Sequence, residues 1–202
     1  MLNLLIAHHA EAAPFIEHYS LSVTKKENRL KYFESGAVRL LLTGEGEENS
    51  RASVSDFCAQ LHGLEYDYWL NFGVAGSSQF PIGQLVRGSS IQYHGGESND
   101  LAPWPIESAD REIPGAIIRT VEKPELDYPG EGVFDMEVAT LYSVLSEYGY
   151  DYDQRFMTLK LVSDGPARSA DKLSKKAMID LIKKNVQSIT WHSDILSQTP
   201  DL

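Results

Sequence analysis

Residues 66–78 read Tyr66-Asp67-Tyr68-Trp69-Leu70-Asn71-Phe72-Gly73-Val74-Ala75-Gly76-Ser77-Ser78. The first half, Tyr66–Phe72, is a compact aromatic and aliphatic run of strand length, and two glycines in the next four residues predict a tight turn. The run is continuous rather than alternating, as in a strand covered on both faces of a largely parallel sheet. Leu2–Ala7, Val38–Thr43, Leu85–Tyr93, Ala116–Val121 and Phe156–Val162 read the same way. Helical periods lie between them. Ala52, Phe57, Cys58 and Leu61 mark an apolar stripe through 48–63, and Val138, Leu141, Tyr142 and Leu145 a second through 136–148, stopped by Gly149. Leu173, Ala177, Met178, Leu181, Ile182, Val186 and Ile189 recur every three to four residues, with lysines on the other face. Strands alternating with helices predict a three-layer α/β/α sandwich around a central mixed, largely parallel sheet. The segments Gly95–Pro105 and Pro124–Gly132, rich in Gly, Pro and acids, are expected to be long surface loops.

The 202 residues show no repeat or Pro/Ser-rich linker and are expected to form a single domain spanning 1–202. There are 29 acidic against 18 basic residues, a net charge of −11. Such a chain, without a basic stripe, is repelled by phosphate backbones and anionic lipid, which argues against nucleic acid or membrane as partner. No stretch approaches the run of apolar residues a membrane helix needs. The first residues read as a strand rather than a signal peptide. Cys58 is the only cysteine, so no internal disulfide is possible. A cytoplasmic location is the expectation.

In open α/β sheets, ligands bind beyond the carboxyl ends of the strands. At those positions stand His8, His9 and Glu11, then Thr43-Gly44-Glu45-Gly46, then Gly73 to Ser78, and Ser163-Asp164-Gly165. Phe134-Asp135-Met136-Glu137 opens the helix through 136–148. Several chemistries lose their support. Asn49 stands where a dinucleotide fingerprint needs its third glycine, no phosphate-cradling Gly-Lys-Ser/Thr loop occurs, and no Gly-x-Ser-x-Gly nucleophile elbow is present. His8, His9, His62, His94 and His192 form no legible ligand cluster, so neither a metal nor a cofactor is expected. Cys58 falls on an apolar stripe, as a small core residue. The carboxylates Glu11, Glu45, Asp135, Glu137 and Asp164 remain. Each alone could be a solvated residue or a helix cap; their joint placement at element ends is harder to dismiss.

Together these segments resemble the nucleoside phosphorylase and nucleosidase superfamily, most nearly its 5′-methylthioadenosine/S-adenosylhomocysteine nucleosidases. Ala7-His8-His9-Ala10-Glu11 occupies the place of the family's Ala-Met-x-x-Glu turn. Gly44-Glu45-Gly46 matches its Gly-x-Gly, Asn71-Phe72-Gly73-Val74-Ala75-Gly76 its Asn-x-Gly-x-Ala-Gly, Met136-Glu137 its ribose-binding Met-Glu, and Ser163-Asp164 its closing Ser-Asp. The resemblance spans about 1–195. It implies hydrolytic cleavage of the N-glycosidic bond of a methylthioadenosine- or S-adenosylhomocysteine-like purine nucleoside, with Asp164 the general acid towards N7, oriented by Ser163. Glu11 would activate water, Glu137 would accept the ribose hydroxyls, and Met136 would pack on the sugar. Val74, Ala75, Gly76 and Gly44 would line the pocket, and Phe134, Trp104 or Tyr128 would supply base-stacking contacts. The resemblance also implies a homo-oligomer, a dimer or higher, in which His8, His9 and residues 95–105 could meet a neighbour. Trp104 and Phe80 in loops hint at a buried contact surface.

Trp69-Leu70-Asn71 carries no arginine where the family's phosphorylases hold one, and Glu45, Glu47 and Glu48 would repel phosphate, so water is the expected nucleophile. A phosphate-dependent phosphorylase is the alternative enzyme. A non-catalytic nucleoside-binding protein is the other: Val74 stands where nucleosidases usually have Ser or Thr, and Lys160 where an Arg often precedes Ser-Asp.

Overall fold

A computed structural model describes residues 1–27, 30–61, 64, 67–93, 98–100, 113–149 and 155–198. The element order is β1 (Leu2–Ile6), α1 (His9–His18), β2 (Ser22–Glu27), β3 (Leu30–Ser35), β4 (Val38–Leu42), α2 (Gly46–Gln60), β5 (Tyr68–Gly76), β6 (Leu85–Tyr93), β7 (Ser98–Asp100), β8 (Gly115–Thr120), β9 (Val133–Asp135), α3 (Val138–Glu147), β10 (Phe156–Asp164) and α4 (Lys175–Gln198). A 3₁₀ turn, Ala170–Lys172, precedes α4. Among the described residues the strands form one mixed sheet, ordered β10-β6-β8-β9-β5-β1-β4-β3-β2. β10 also pairs with β5, so the β10-β6-β8-β9-β5 half curls into a small closed ring.

Apolar residues pack on both faces of the sheet, giving the three layers expected. One core joins Val54, Phe57 and Cys58 of α2 and Val138, Leu141 and Leu145 of α3 to Trp69 and Phe156. The other joins Ala12 and Phe15 of α1 and Ile182 and Ile189 of α4 to Leu4, Phe72 and Leu159. β1, β5 and β10 run parallel to one another, and β4 parallel to β1. Their carboxyl ends therefore meet at one edge. No helix among the described residues is long and apolar enough to cross a membrane.

Several local expectations are corrected. Gly73–Gly76 is no turn: β5 runs on to Gly76, because β10 lies beside it with Lys160 opposite Gly73 and Asp164 opposite Gly76. Ser163 and Asp164 likewise close β10 instead of following it. The turn after β1 is the start of α1, which Pro14 in its interior conceals from a propensity reading. The β2–β3 hairpin carries no continuous apolar run, and short β9 lies inside a segment read as the approach to a helix. On α2 the buried face is Ser50, Val54, Phe57 and Cys58, and Ala52 is exposed. Phe80 is half-buried, packed against the core. Tyr66, His62, His94, Trp104 and most of 95–105 lie outside the described residues.

Candidate active site

At the edge where β1, β5, β9 and β10 end lies a cavity of about 400 Å³. Glu11, Val74, Ala75, Gly76, Phe134, Met136, Glu137, Ser163 and Asp164 all line it. Gly44 does not. Its φ of +82° shapes the turn from β4 into α2, and a Cβ there would lie 2.8 Å from the Asn49 Cβ.

Glu11 is placed by the start of α1. His8 caps the helix, accepting the Ala10 N–H on Nδ1 at 2.9 Å, while Glu11 Oε2 accepts the His8 N–H at 3.1 Å. This is a capping box with histidine in the hydroxyl's place. Glu11 Oε1 accepts the Val74 N–H of β5 at 2.9 Å. Burial raises the Glu11 pKa above the usual carboxylate range, against the pull of these bonds and of Lys160.

Glu137 immediately precedes α3, and its Oε1 accepts the Gly46 N–H at 2.7 Å. Burial and the neighbouring Asp135 charge push its pKa up to about 7, opposed by Lys160. Asp135 closes β9. Its carboxylate accepts the Thr120 hydroxyl at 2.7 Å and the Val138 N–H at 3.0 Å, and its Oδ2 lies 2.8 Å from Lys160 Nζ. Lys160, 1% exposed in the middle of β10, is the cation set against this group of carboxylates.

At the other end of the cavity, Asp164 accepts two hydroxyls: Ser163 on Oδ1 and Tyr128 on Oδ2, the latter at 2.8 Å. The Tyr128 oxygen in turn accepts the Ala170 N–H at 3.0 Å, so its proton is committed to Asp164. Burial and the bond to Asp164 push the tyrosine pKa up to about 12, against the pull of the Ala170 N–H. Tyr128 has a φ of +49°, and Ser78 donates to its carbonyl at 2.9 Å. Gly76 makes room: a Cβ would fall 2.4 Å from the Tyr128 ring and 2.5 Å from Asp164 Oδ2.

Solved structures share this architecture. An Arabidopsis thaliana 5′-methylthioadenosine nucleosidase superposes with a TM-score of 0.81 at 14% identity, covering 98% of this chain and 96% of its own. The Helicobacter pylori 5′-methylthioadenosine/S-adenosylhomocysteine nucleosidase with butyl-thio-DADMe-Immucillin-A gives 0.74 at 12%, covering 96% and 97%. A futalosine hydrolase mutant from the same organism gives 0.71 at 12%, covering 96% and 98%. The fold is that of the nucleosidases. No protein-family model matches the chain, and no curated protein matches it in sequence.

Within this nucleosidase fold, two residues come forward whose contacts the sequence did not convey. Tyr128, a candidate for base stacking, turns its hydroxyl to Asp164 and is 2% exposed; Phe134 packs against its edge at 6.3 Å and lines the cavity itself. Lys160 carries the other signal, a charge in the middle of an otherwise apolar run. A buried cation of this kind survives only with a partner. Lys160→Met is therefore expected to lower stability by about 3–5 kcal/mol, because it strands the Asp135 charge. Urea unfolding measures this, and a loss below about 1 kcal/mol would contradict the pairing.

Proposed function

We propose that the chain hydrolyses the N-glycosidic bond of a purine nucleoside. The observation that carries this reading is the division of carboxylates within one cavity. Asp164 stands alone at one end, held by two hydroxyls, while Glu11 and Glu137 gather at the other around Lys160. Glycosidic cleavage needs this separation, since the base must gain a proton while the sugar develops positive charge.

In the proposed reaction the purine lies towards Asp164 and Phe134, and the ribose towards Met136 and Glu137. Glu137 accepts the 2′- and 3′-hydroxyls, and its negative charge favours the oxocarbenium-like transition state. Asp164 delivers a proton to N7 as the C1′–N9 bond breaks and its electron pair passes to the purine. A water oxygen bonds to C1′ from the opposite face and gives its proton to Glu11. Free base and ribose leave, and the proton on Glu11 returns to Asp164 through solvent. Tyr128 and Ser163 fix the Asp164 carboxyl plane, and Phe134 offers an aromatic edge to the base.

Water is favoured over phosphate by the charges present. Glu11, Glu45, Glu125, Asp135, Glu137 and Asp164 all line the cavity against one lysine, Lys175, and no arginine does among the described residues. Phosphate recognition relies on such a guanidinium fork. Chromatography of reactions with methylthioadenosine, S-adenosylhomocysteine, adenosine, inosine and uridine tests the reading. Purine release without phosphate is expected. Release only with phosphate would replace it with phosphorolysis, and folded protein silent on every substrate would leave a nucleoside-binding protein.

A further inference from the structure

The sugar end of the cavity holds a donor and an acceptor that the reaction above leaves unused. His8 lines the cavity, and its Nδ1 is occupied as an acceptor by the Ala10 N–H at 2.9 Å. That bond places the ring proton on Nε2, which makes Nε2–H a donor. The Glu45 carboxylate, also lining the cavity, has an oxygen 4.0 Å from Nε2. Glu45 sits at the cap position of α2, yet its side chain makes no capping hydrogen bond.

The position of this pair follows from the sheet. Asp164 ends β10, and β5, β1 and β4 follow in order, so His8 after β1 and Glu45 after β4 lie on the side remote from Asp164. Glu137 reaches the same side, bonded to Gly46 next to Glu45. With the base at Asp164 and the 2′- and 3′-hydroxyls on Glu137, the sugar group left for this pair is the 5′ substituent.

We propose that His8 and Glu45 form a clamp for a 5′-hydroxyl, which makes this site selective for nucleosides with an unmodified ribose over 5′-deoxy and 5′-thioether nucleosides. The inference rests on the nucleoside hydrolysis proposed above. A hydroxyl oxygen seated about 2.8 Å from both atoms accepts from Nε2–H and donates to the carboxylate, and a 4.0 Å gap suits such a bridge. A thioether sulfur donates nothing and accepts weakly. Discrimination falls chiefly on His8, 32% exposed, whose Nε2–H loses a bond when the hydroxyl is absent, whereas Glu45, 72% exposed, is solvated in either case.

The test is the ratio of kcat/KM for adenosine to that for 5′-deoxyadenosine and for 5′-methylthioadenosine. The wild type is expected to favour adenosine by about tenfold or more. His8→Asn keeps a capping oxygen for the Ala10 N–H but removes the Nε2 donor from the cavity, so the ratio should fall about tenfold while the fold is preserved. Glu45→Gln, on an exposed side chain, should lower it in the same direction. A wild-type preference for 5′-methylthioadenosine, or a ratio unmoved by His8→Asn, would overturn the clamp and leave hydrolysis standing. Absence of cleavage of all three nucleosides, with S-adenosylhomocysteine and inosine also left intact, would instead remove the hydrolysis reading and the clamp with it.

Discussion

Asp164→Asn is expected to cut kcat/KM for base release about 10³-fold while leaving the thermal midpoint nearly unchanged. General acid catalysis contributes about 10²–10⁴-fold, and an amide cannot supply the proton. The fold should tolerate the change. Tyr128 must keep a proton directed at position 164, because its oxygen already accepts the Ala170 N–H. The asparagine oxygen takes that proton, and the amide NH₂ faces Ser163, whose hydroxyl rotates to accept it. Tyr128→Phe provides the graded comparison. It leaves Asp164 in place but unpins Oδ2, and a drop of about tenfold in kcat with KM little changed is expected from the loss of one hydrogen bond. Full activity in Asp164→Asn would remove this residue from the chemistry.

Glu137→Gln is expected to lose about 10²-fold in kcat/KM and, above neutral pH, to be more stable than the wild type. The Glu137 pKa is held at about 7, above the 4.5 of an unperturbed glutamate, chiefly by burial and then by Asp135. The folded state thus binds this proton more tightly than the unfolded chain does. The group favours folding fully below pH 4.5, and that contribution is lost as the pH rises from 4.5 through about 7. Glutamine has no such charge to bury and still accepts the Gly46 N–H. The stability difference between variant and wild type should therefore be near zero at pH 4.5 and grow to a plateau above pH 7. It should be on the order of 3–4 kcal/mol, since each unit of pKa shift corresponds to about 1.4 kcal/mol. Denaturation midpoints across pH 4–9 measure it; a difference that does not vary with pH would show that Glu137 carries no such strain. The same carboxylate charge that destabilises the fold is the one proposed to serve the sugar, a familiar opposition between stability and activity.

The sequence by itself determined six strands of the central sheet, β1, β4, β5, β6, β8 and β10, and which acidic residues stand near element ends. Continuous apolar runs such as Val38–Leu42 and Phe156–Val162 leave little alternative to strands buried on both faces, and their signal is local. The order of Glu11, Glu137 and Asp164 along the chain was legible for the same reason. Tertiary structure alone decided the rest. The Gly73–Gly76 segment reads as a turn until β10 supplies its ladder, since a strand's length depends on hydrogen bonds from a partner eighty-odd residues away. The polar β2–β3 hairpin follows from pairing to β4 rather than from its own composition. Lys160 reads only as a basic residue ahead of Ser163-Asp164 until the sheet buries it against Asp135, and Tyr128 looks like a loop aromatic until its backbone turns at positive φ and sends the hydroxyl to Asp164. Charges and hydroxyls carry their chemistry in the sequence, but which of them face one another is fixed only when distant strands close on one edge.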